Sequence, residues 1–288
     1  MGPRQLFVSD LDGTLLNPTA SLSTYSRRQL KRLLEKGLPF TVASARNVIS
    51  IRNILEDLPI RMPVIELNGA FISDLRTGRH EVVHAIERPL VPEVIEWGRQ
   101  AGCSPFVTTF DGREDRLYVG DILNQGMADY YRERVRERDP RLRDGVPLAR
   151  SIREMVVCIV FIDRVERLAP LAEKIRKQCG DRVQTHLIHE IYAPGWYWLT
   201  VHDRQATKDQ AIQVLLESEG LSRKELTVFG DQANDLPMFR LAGRAIAVSN
   251  AWEPLKKAAT HVIGHHRDDS VVRYLVKHAP LKATSGAG

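Results

Sequence analysis

Residues 6–16, LFVSDLDGTLL, decide the fold of this chain. A short apolar run is followed by two carboxylates one residue apart, Asp10 and Asp12, and then by Gly13. An apolar run that ends at a glycine turn is typical of a strand buried on both faces, as the strands of a parallel sheet are. Ligands bind at the carboxyl ends of the strands in open α/β sheets. The two aspartates are therefore predicted to lie at a binding site.

Strand and helix patterns alternate after this first strand. They predict a helix over 23–36 and buried strands at 39–43 and 63–67. The same alternation returns from residue 207, and a further buried strand is predicted at 226–229. Short connections in this order predict a parallel sheet with right-handed crossovers.

The middle of the chain has a different pattern. Between residues 84 and 199, helices are followed by adjacent strands, such as the apolar run Met155–Ile162. This order is typical of a separate α+β unit. The predicted fold class is therefore α/β: a Rossmann-like parallel-sheet core, residues 1–83 and 200–288, into which an α+β domain, residues 84–199, is inserted.

Polar side chains also follow other predicted strands. Ser44 comes directly after the second strand and Asp231 directly after a later one, while Lys208 opens the helix that precedes that later strand. Each has a structural explanation when taken alone, because a serine after a strand often caps a helix and Asp12-Gly13 is common turn chemistry. The combination at several strand ends is what indicates a functional site.

These residue types together suit the hydrolysis of a phosphate monoester. The reaction needs a nucleophile in line with the leaving oxygen, positive charge across the equatorial oxygens and an acid for the leaving group. Asp10 is a candidate nucleophile, and Asp12 a candidate acid and base. Asp10, Asp231 and the main-chain carbonyl of Asp12 offer hard oxygen ligands that suit Mg²⁺. Lys208 and Ser44 can hold the phosphate.

The ordered set of motifs resembles the haloacid dehalogenase superfamily, specifically its Cof-type phosphatases, whose large α/β cap is inserted between the second and third motifs. The resemblance covers nearly the whole chain. It rests on DxDGTL at Asp10–Leu15, the second-motif hydroxyl at Ser44, the third-motif lysine at Lys208, GDxxND-x-x-MF from Gly230, and the Asn-Gly-Ala loop at 68–70.

The resemblance implies a Mg²⁺-dependent phosphatase that hydrolyses a small phosphorylated metabolite, with sugar phosphates favoured, through an aspartyl-phosphate on Asp10. Asp12 favours hydrolysis, because the ion-pumping ATPases that resemble this core carry lysine at that position and their aspartyl-phosphate persists. A sugar phosphomutase or phosphotransferase of the same superfamily and a non-catalytic phosphate-binding protein are the alternatives.

Carried over position by position, the resemblance assigns roles to four groups of residues. They are the catalytic Asp10 and Asp12; the phosphate-binding Ser44 and Lys208; the metal-binding Asp10, Asp12 and Asp231; and Asn234 and Asp235, which orient the metal site from outside it.

Substrate contacts are expected from Arg46, Asn68 and Gly69 and from the cap. The aromatic cluster of Tyr192 and residues 196–198 is expected to serve core or hinge packing. The chain also departs from the family pattern at three places: Ser44-Ala45-Arg46 replaces Thr-Gly-Arg, Asp209 replaces glycine, and Asp269-Ser270 replaces Asp-Gly.

The charge pattern argues against a nucleic-acid partner. The formal net charge is +5, but basic residues are interleaved with acidic ones, which is typical of a solvated surface. Even the most charged stretch, YYRERVRERDPRLRD at 130–144, alternates in sign and predicts an exposed helix. The expected partner is a small phosphate ester.

The remaining composition predicts a cytoplasmic protein. No apolar run is long enough to cross a membrane, and the N-terminus lacks a signal-peptide pattern, so neither a membrane partner nor export is expected. The three cysteines are far apart and lack a CxxC spacing, so they indicate small buried side chains and neither a disulfide framework nor a zinc site. The sequence is compatible with a monomer or a homodimer.

Overall fold

The computed structural model describes residues 5–189 and 193–279. They pack into two compact units: a core unit, made of the residues up to 82 and from 207 onward, and an inserted unit, residues 83–206. A strand at Tyr197–Asp203 pairs along its length with strands of the inserted unit. The residues of that strand therefore belong to the inserted unit, whereas the sequence predicted a boundary after residue 199.

The core unit alternates strands and helices, and the inserted unit groups its strands differently. The chain begins in the core unit with β1 (Leu6–Ser9), α1 (Thr24–Glu35), β2 (Phe40–Val42), α2 (Val48–Leu55), β3 (Val64–Glu66), β4 (Phe71–Ser73) and β5 (His80–Val83). The inserted unit contains α3 (Leu90–Gln100), β6 (Pro105–Phe110), β7 (Asp115–Val119), α4 (Gln125–Arg136), β8 (Leu142–Arg143), β9 (Met155–Asp163), α5 (Val165–Cys179), β10 (Val183–His189) and β11 (Tyr197–Asp203). The core unit then continues with α6 (Lys208–Glu219), β12 (Leu226–Gly230), α7 (Leu236–Leu241), β13 (Arg244–Val248), α8 (Glu253–Ala258), β14 (His261–Ile263) and α9 (Ser270–His278).

A parallel sheet with the strand order β14-β13-β12-β1-β2 forms the centre of the core unit. All four residues of β1 are buried, and Phe7 lies beside Thr227 of β12 and Phe40 of β2. The parallel sheet and the α/β fold class predicted from the sequence are confirmed. Because β1 lies between β12 and β2, the residues that follow these three strands come together at one edge of the sheet.

Helix α1 shows why the apolar pattern of the sequence forms these elements. The hydroxyl of Ser23 accepts a hydrogen bond from the backbone N–H of Ser26 and caps the helix. Leu30, Leu33 and Leu34 lie on one face and are buried in the core of this unit. Each buried leucine of this kind contributes about 1.5–3 kcal/mol of stability.

A second, three-stranded sheet with the order β3-β4-β5 extends from the edge of the core sheet. Ala43, just after β2, forms a parallel bridge with Ile65 of β3. The backbone N–H of Ser44 donates to the carbonyl of Ile65, and the N–H of Asn68 donates to the carbonyl of Ser44, both at 2.9 Å. The segment after β2 and the turn after β3 are therefore tied together.

The inserted unit is built on a six-stranded sheet with the order β10-β11-β9-β6-β7-β8. Its neighbouring strands are antiparallel except for β7 and β8, which are parallel. Val94 of α3 and Leu168 of α5 share a buried core with Phe161 of β9. This arrangement agrees with the α+β character that the order of its elements predicts.

The aromatic residues near β11 pack inside the inserted unit where the structure describes them. The Trp198 ring meets the Tyr130 ring edge to face, with centroids 4.9 Å apart. The guanidinium of Arg164 lies 4.0 Å from the centroid of the Trp196 ring. The predicted packing role is confirmed for Trp198. Tyr192 lies outside the described residues.

The charged stretch at 130–144 is not the uniformly exposed surface that its sign alternation predicts. Arg134 is only 5% exposed, and its guanidinium lies 4.9 Å from the centroid of the Tyr130 ring. Arg141 is buried and donates two hydrogen bonds to Asp139, at 2.7 and 3.0 Å. The prediction was wrong for these two arginines because an aromatic face and a buried carboxylate offset their loss of hydration.

The structure agrees with the expectation for the three cysteines. Cys103, Cys158 and Cys179 are all free and buried, as predicted. Burial raises the pKa of the Cys103 thiol to about 11 and that of Cys158 further still, so both stay protonated and unreactive near neutral pH. Within residues 5–189 and 193–279, no helix has the length and apolar character needed to cross a bilayer.

Replacing Gly98 with alanine tests the packing of the inserted unit. Gly98 lies inside α3, where alanine normally favours the helix by about 1 kcal/mol. A methyl group at this position would overlap the ring of the fully buried Phe161, so we expect Gly98→Ala to destabilise the protein by about 1–3 kcal/mol. Urea unfolding measures this change. The exposed Arg99→Ala variant is the control and should change stability by less than about 0.5 kcal/mol. A Gly98→Ala protein as stable as the wild type would contradict the packing.

Candidate active site

The turn after β1 gives its two aspartates different surroundings. The backbone N–H of Asp10 donates to the carbonyl of Phe229 in β12, at 2.9 Å, which holds Asp10 at the edge of the sheet. The following tight turn, Leu11–Leu15, is broken at Asp12 and Gly13, where the backbone leaves helical geometry and Gly13 has a φ of +75°. As a result Asp10 is buried, whereas the side chain of Asp12 is 27% exposed.

Lys208 joins two carboxylates in the interior. Its Nζ donates to Oδ1 of Asp10 and to Oδ1 of Asp235, each at 2.7 Å, and its side chain is fully buried. Burial disfavours the charged ammonium, but the two neighbouring carboxylates outweigh that effect and hold the pKa of Lys208 above its usual value. The lysine therefore carries a fixed positive charge beside Asp10.

Asp231 completes a cluster of three buried carboxylates. One carboxylate oxygen each from Asp10, Asp231 and Asp235 lie within 4.8 Å of one another. The hydroxyl of Thr14 donates to Oδ1 of Asp231 at 3.0 Å. Burial raises the pKa of Asp10 to about 7. The positive charge of Lys208 opposes this rise, and the negative charge of Asp235 adds to it. Burial and then repulsion from the other two carboxylates raise the pKa of Asp231.

The donor set of this cluster fits a divalent cation. Three carboxylates face the single ammonium of Lys208, so the buried cluster has an excess of two negative charges when all three are ionised. A divalent cation would offset that excess, and side-chain donors that are all oxygen suit Mg²⁺ better than zinc. Both oxygens of Asp235 already accept hydrogen bonds, from Lys208 and from the backbone N–H groups of Asp231 and Gln232. Asp235 is fully buried, whereas Asp10 and Asp231 keep 6% and 3% of their surface exposed, so those two are the candidate ligands.

The turn after β3 links the other predicted site residues. Asn68 has a φ of +58°, and its Oδ1 accepts a hydrogen bond from Nδ2 of Asn234 at 3.0 Å. A side chain at Gly69 would come within 2.5 Å of the carbonyl oxygen of Thr207, next to Lys208. Ser44 is buried, and its carbonyl accepts a hydrogen bond from the N–H of Asn68, which places it beside this turn. The turn therefore joins the end of β2 to the start of α6.

Arg46 pairs with Asp12 through two hydrogen bonds. Its Nε donates to Oδ2 of Asp12 and its Nη2 to Oδ1, both at 2.7 Å. Its Nη1 donates to the hydroxyl of Ser50 at 2.9 Å. The sequence suggested Arg46 as a substrate contact, and no sequence signal linked it to Asp12.

Sequence reasoning missed other residues that support the site. Thr14 belongs to the DGT motif, and its hydrogen bond to Asp231 could have been suspected from that position alone. Asn250 had no signal: its Nδ2 donates to the carbonyl of Gly13 at 2.8 Å, and its Oδ1 accepts from the N–H of His266 at 3.0 Å. Oδ1 of the late Asp269 accepts hydrogen bonds from the hydroxyls of Ser23 and Ser26 at the start of α1, at 2.6 and 2.8 Å.

Comparisons with known proteins identify the class. A family model for haloacid dehalogenase-like hydrolases matches residues 7–275, and the chain belongs to that family. It is therefore an enzyme, a hydrolase with the fold that the sequence predicted. Its curated relatives include the pyridoxal phosphate phosphatase of Escherichia coli (strain K12), which is 24% identical over 277 residues, covering 93% of this chain and 96% of the relative.

Two further comparisons agree with membership of this family. The HMP-PP phosphatase of Enterobacter sp. (strain 638) is 27% identical over 281 residues, covering 94% of each chain. The crystal structure of a haloacid dehalogenase-like hydrolase from Bacteroides thetaiotaomicron has a TM-score of 0.79 at 24% identity, covering 96% of this chain and 99% of that one. The similarity therefore extends through both units.

A substitution at Gly13 tests the geometry of the carboxylate cluster. An alanine there would adopt an unfavourable positive φ, costing about 1–2 kcal/mol, and its methyl group would overlap the Asp231 carboxylate. We expect millimolar Mg²⁺ to raise the Tm of the wild type, and we expect Gly13→Ala to lose both stability and this rise in Tm. Gly37→Ala is the matched control, because Gly37 has a φ of +83° and, apart from its chain neighbours, no atom of residues 5–189 and 193–279 lies within 4 Å of the added methyl group. It should lose stability but keep the Mg²⁺ response. A Gly13→Ala protein with an undiminished Mg²⁺ response would contradict the geometry.

Proposed function

We propose that this hydrolase is a Mg²⁺-dependent phosphatase that acts on small phosphorylated metabolites, with sugar phosphates as the favoured class. The observation that carries the proposal is the contact between Lys208 and Asp10 beside Asp231. It combines a desolvated carboxylate, a fixed positive charge and a second carboxylate suited to a cation. These are the groups that attack on a phosphate monoester requires.

In the first half of the reaction, the Asp10 carboxylate attacks phosphorus. A bond forms between an Asp10 oxygen and phosphorus while the bond from phosphorus to the leaving oxygen breaks. Asp12 donates its proton to that leaving oxygen, so an alcohol departs and Asp12 becomes a carboxylate. Lys208 and Ser44 hold the phosphoryl oxygens and favour the charge that spreads over them.

In the second half, water releases the phosphate. The Asp12 carboxylate takes a proton from a water molecule as its oxygen bonds to phosphorus, and the bond between phosphorus and Asp10 breaks. Inorganic phosphate leaves, Asp10 is again a carboxylate and Asp12 again carries the proton. The enzyme thereby returns to its starting form.

Asp10, Asp231 and the main-chain carbonyl of Asp12 are proposed to hold the Mg²⁺. When bound, the ion supplies positive charge against the phosphate oxygens. Asn234 and Asp235 are proposed to orient this site from outside: Asp235 accepts from the backbone N–H of Asp231, and Asn234 donates to Asn68.

Substrate selection is proposed to involve the turn after β3 and the inserted unit, which we propose to be a cap. Asn68 is 1% exposed, and its Nδ2 has no hydrogen-bond partner within residues 5–189 and 193–279. A buried donor of this kind favours a substrate oxygen as its partner. Gly69 lets the turn approach the start of α6. The expected partner of the protein is thus a small phosphate ester.

Phosphate release from a panel of esters tests the proposal directly. We expect turnover with Mg²⁺, none with EDTA, and a loss of about 10⁴-fold or more for Asp10→Asn, because the nucleophile is removed. The exposed Asp181→Asn variant makes the same chemical change away from the site and should keep wild-type rates. Folded, Mg²⁺-loaded wild type that releases no phosphate would refute the phosphatase, and an Asp10→Asn variant that still releases it would refute Asp10 as the nucleophile.

The substrate class needs a separate comparison. Because some relatives are named for pyridoxal phosphate and HMP-PP, both belong in the panel beside sugar phosphates. We expect kcat/KM for the best sugar phosphate to exceed that for pyridoxal phosphate by about tenfold, a difference that a few contacts in a binding site can supply. The opposite order would reject the sugar-phosphate preference and leave the phosphatase itself intact.

A further inference from the structure

Arg46 is held rigidly on the side away from Asp12. Its backbone N–H donates to the hydroxyl of Ser44 at 3.1 Å, and its carbonyl accepts from the N–H of Leu67 at 3.0 Å. Its guanidinium is fixed through Nη1 to Ser50, a residue of α2 that is 7% exposed. Both the main chain and the side chain of Arg46 are therefore anchored to elements that line the site.

The contact with Asp12 has the geometry of a two-point clamp. Nε and Nη2 each donate to a different oxygen of the carboxylate at 2.7 Å. The planar guanidinium fork fixes both the position and the orientation of a carboxylate, which a single ammonium cannot do. The Asp12 side chain is 27% exposed, and the clamp holds its carboxylate in one orientation.

We propose that Arg46 is the positioning residue for the acid and base of the reaction, Asp12. The inference rests on the proposed phosphatase function. When Asp12 is a carboxylate, both of its oxygens accept from Arg46. When it is protonated, one oxygen carries the proton toward the leaving oxygen while the other still accepts from Arg46. The arginine thereby keeps Asp12 in one orientation through both halves of the reaction.

This role has a consequence for the esters that the enzyme can cleave. An alkyl alcohol is a poor leaving group and needs a proton as it departs, whereas p-nitrophenolate departs without one. A positioned general acid contributes about 10²–10⁴-fold to such a step. The clamp therefore matters most for phosphate esters of ordinary alcohols, the class to which sugar phosphates belong.

The experiment compares leaving groups in Arg46→Gln. The value of kcat/KM reports the steps up to formation of the aspartyl-phosphate, so it isolates the proton donation. We expect Arg46→Gln to lower kcat/KM by about 10²-fold for the best sugar phosphate and by less than about tenfold for p-nitrophenyl phosphate. Arg46→Lys keeps the charge but not the fork, and its loss on the sugar phosphate should be smaller than that of Arg46→Gln. Arg61→Gln, at an exposed arginine of the core unit, is the matched control and should leave both esters unchanged.

A double variant separates positioning from a general loss of structure. If Arg46 acts through Asp12, Asp12→Asn with Arg46→Gln should be no slower on the sugar phosphate than Asp12→Asn alone. Equal losses on both esters in Arg46→Gln, or additive losses in the double variant, would overturn the proposal and indicate substrate binding or folding instead. Absence of phosphate release by the wild type would reject the phosphatase as well, so the two failures are distinguishable.

Discussion

The burial of Lys208 is the constraint on which the rest of the site depends. A buried ammonium costs several kcal/mol unless carboxylates pair with it, and here Asp10 and Asp235 do so, although Asp10 lies 198 residues away in the sequence. The end of β1, the start of α6 and the turn after β12 must therefore meet in one place. The parallel order β12-β1-β2 brings the first and last of these together, and the turn at Asn68 and Gly69 packs against the start of α6.

The pairing of Lys208 with these carboxylates leaves the site with excess negative charge. One ammonium faces three buried carboxylates, and burial together with mutual repulsion raises the pKa values of Asp10 and Asp231. A core selected only for stability would avoid such a cluster, because each unpaired buried charge is costly. The imbalance is the physical argument for a cation and for chemistry at this edge of the sheet.

Two aspartates that are one residue apart acquire different surroundings through a single backbone feature. The positive φ of Gly13 turns the chain so that Asp10 enters the buried cluster while Asp12 stays partly exposed and meets Arg46. This division suits a reaction that needs a nucleophile and a separate proton donor. It also explains why the supporting residues differ: Lys208 serves one carboxylate and Arg46 the other.

The sequence by itself determined the parallel core, the insertion and the motif residues, because strand burial, helix periodicity and glycine turns are local signals that α1, β1 and β12 carry in their own residues. Only the tertiary structure decided which side chains meet. Arg46 meets Asp12, and Asn250 meets Gly13, although the partners lie far apart in the chain. Arg134 is buried because its side chain packs over the Tyr130 ring. No local pattern encodes those side-chain directions, since each is set by the packing of neighbouring elements.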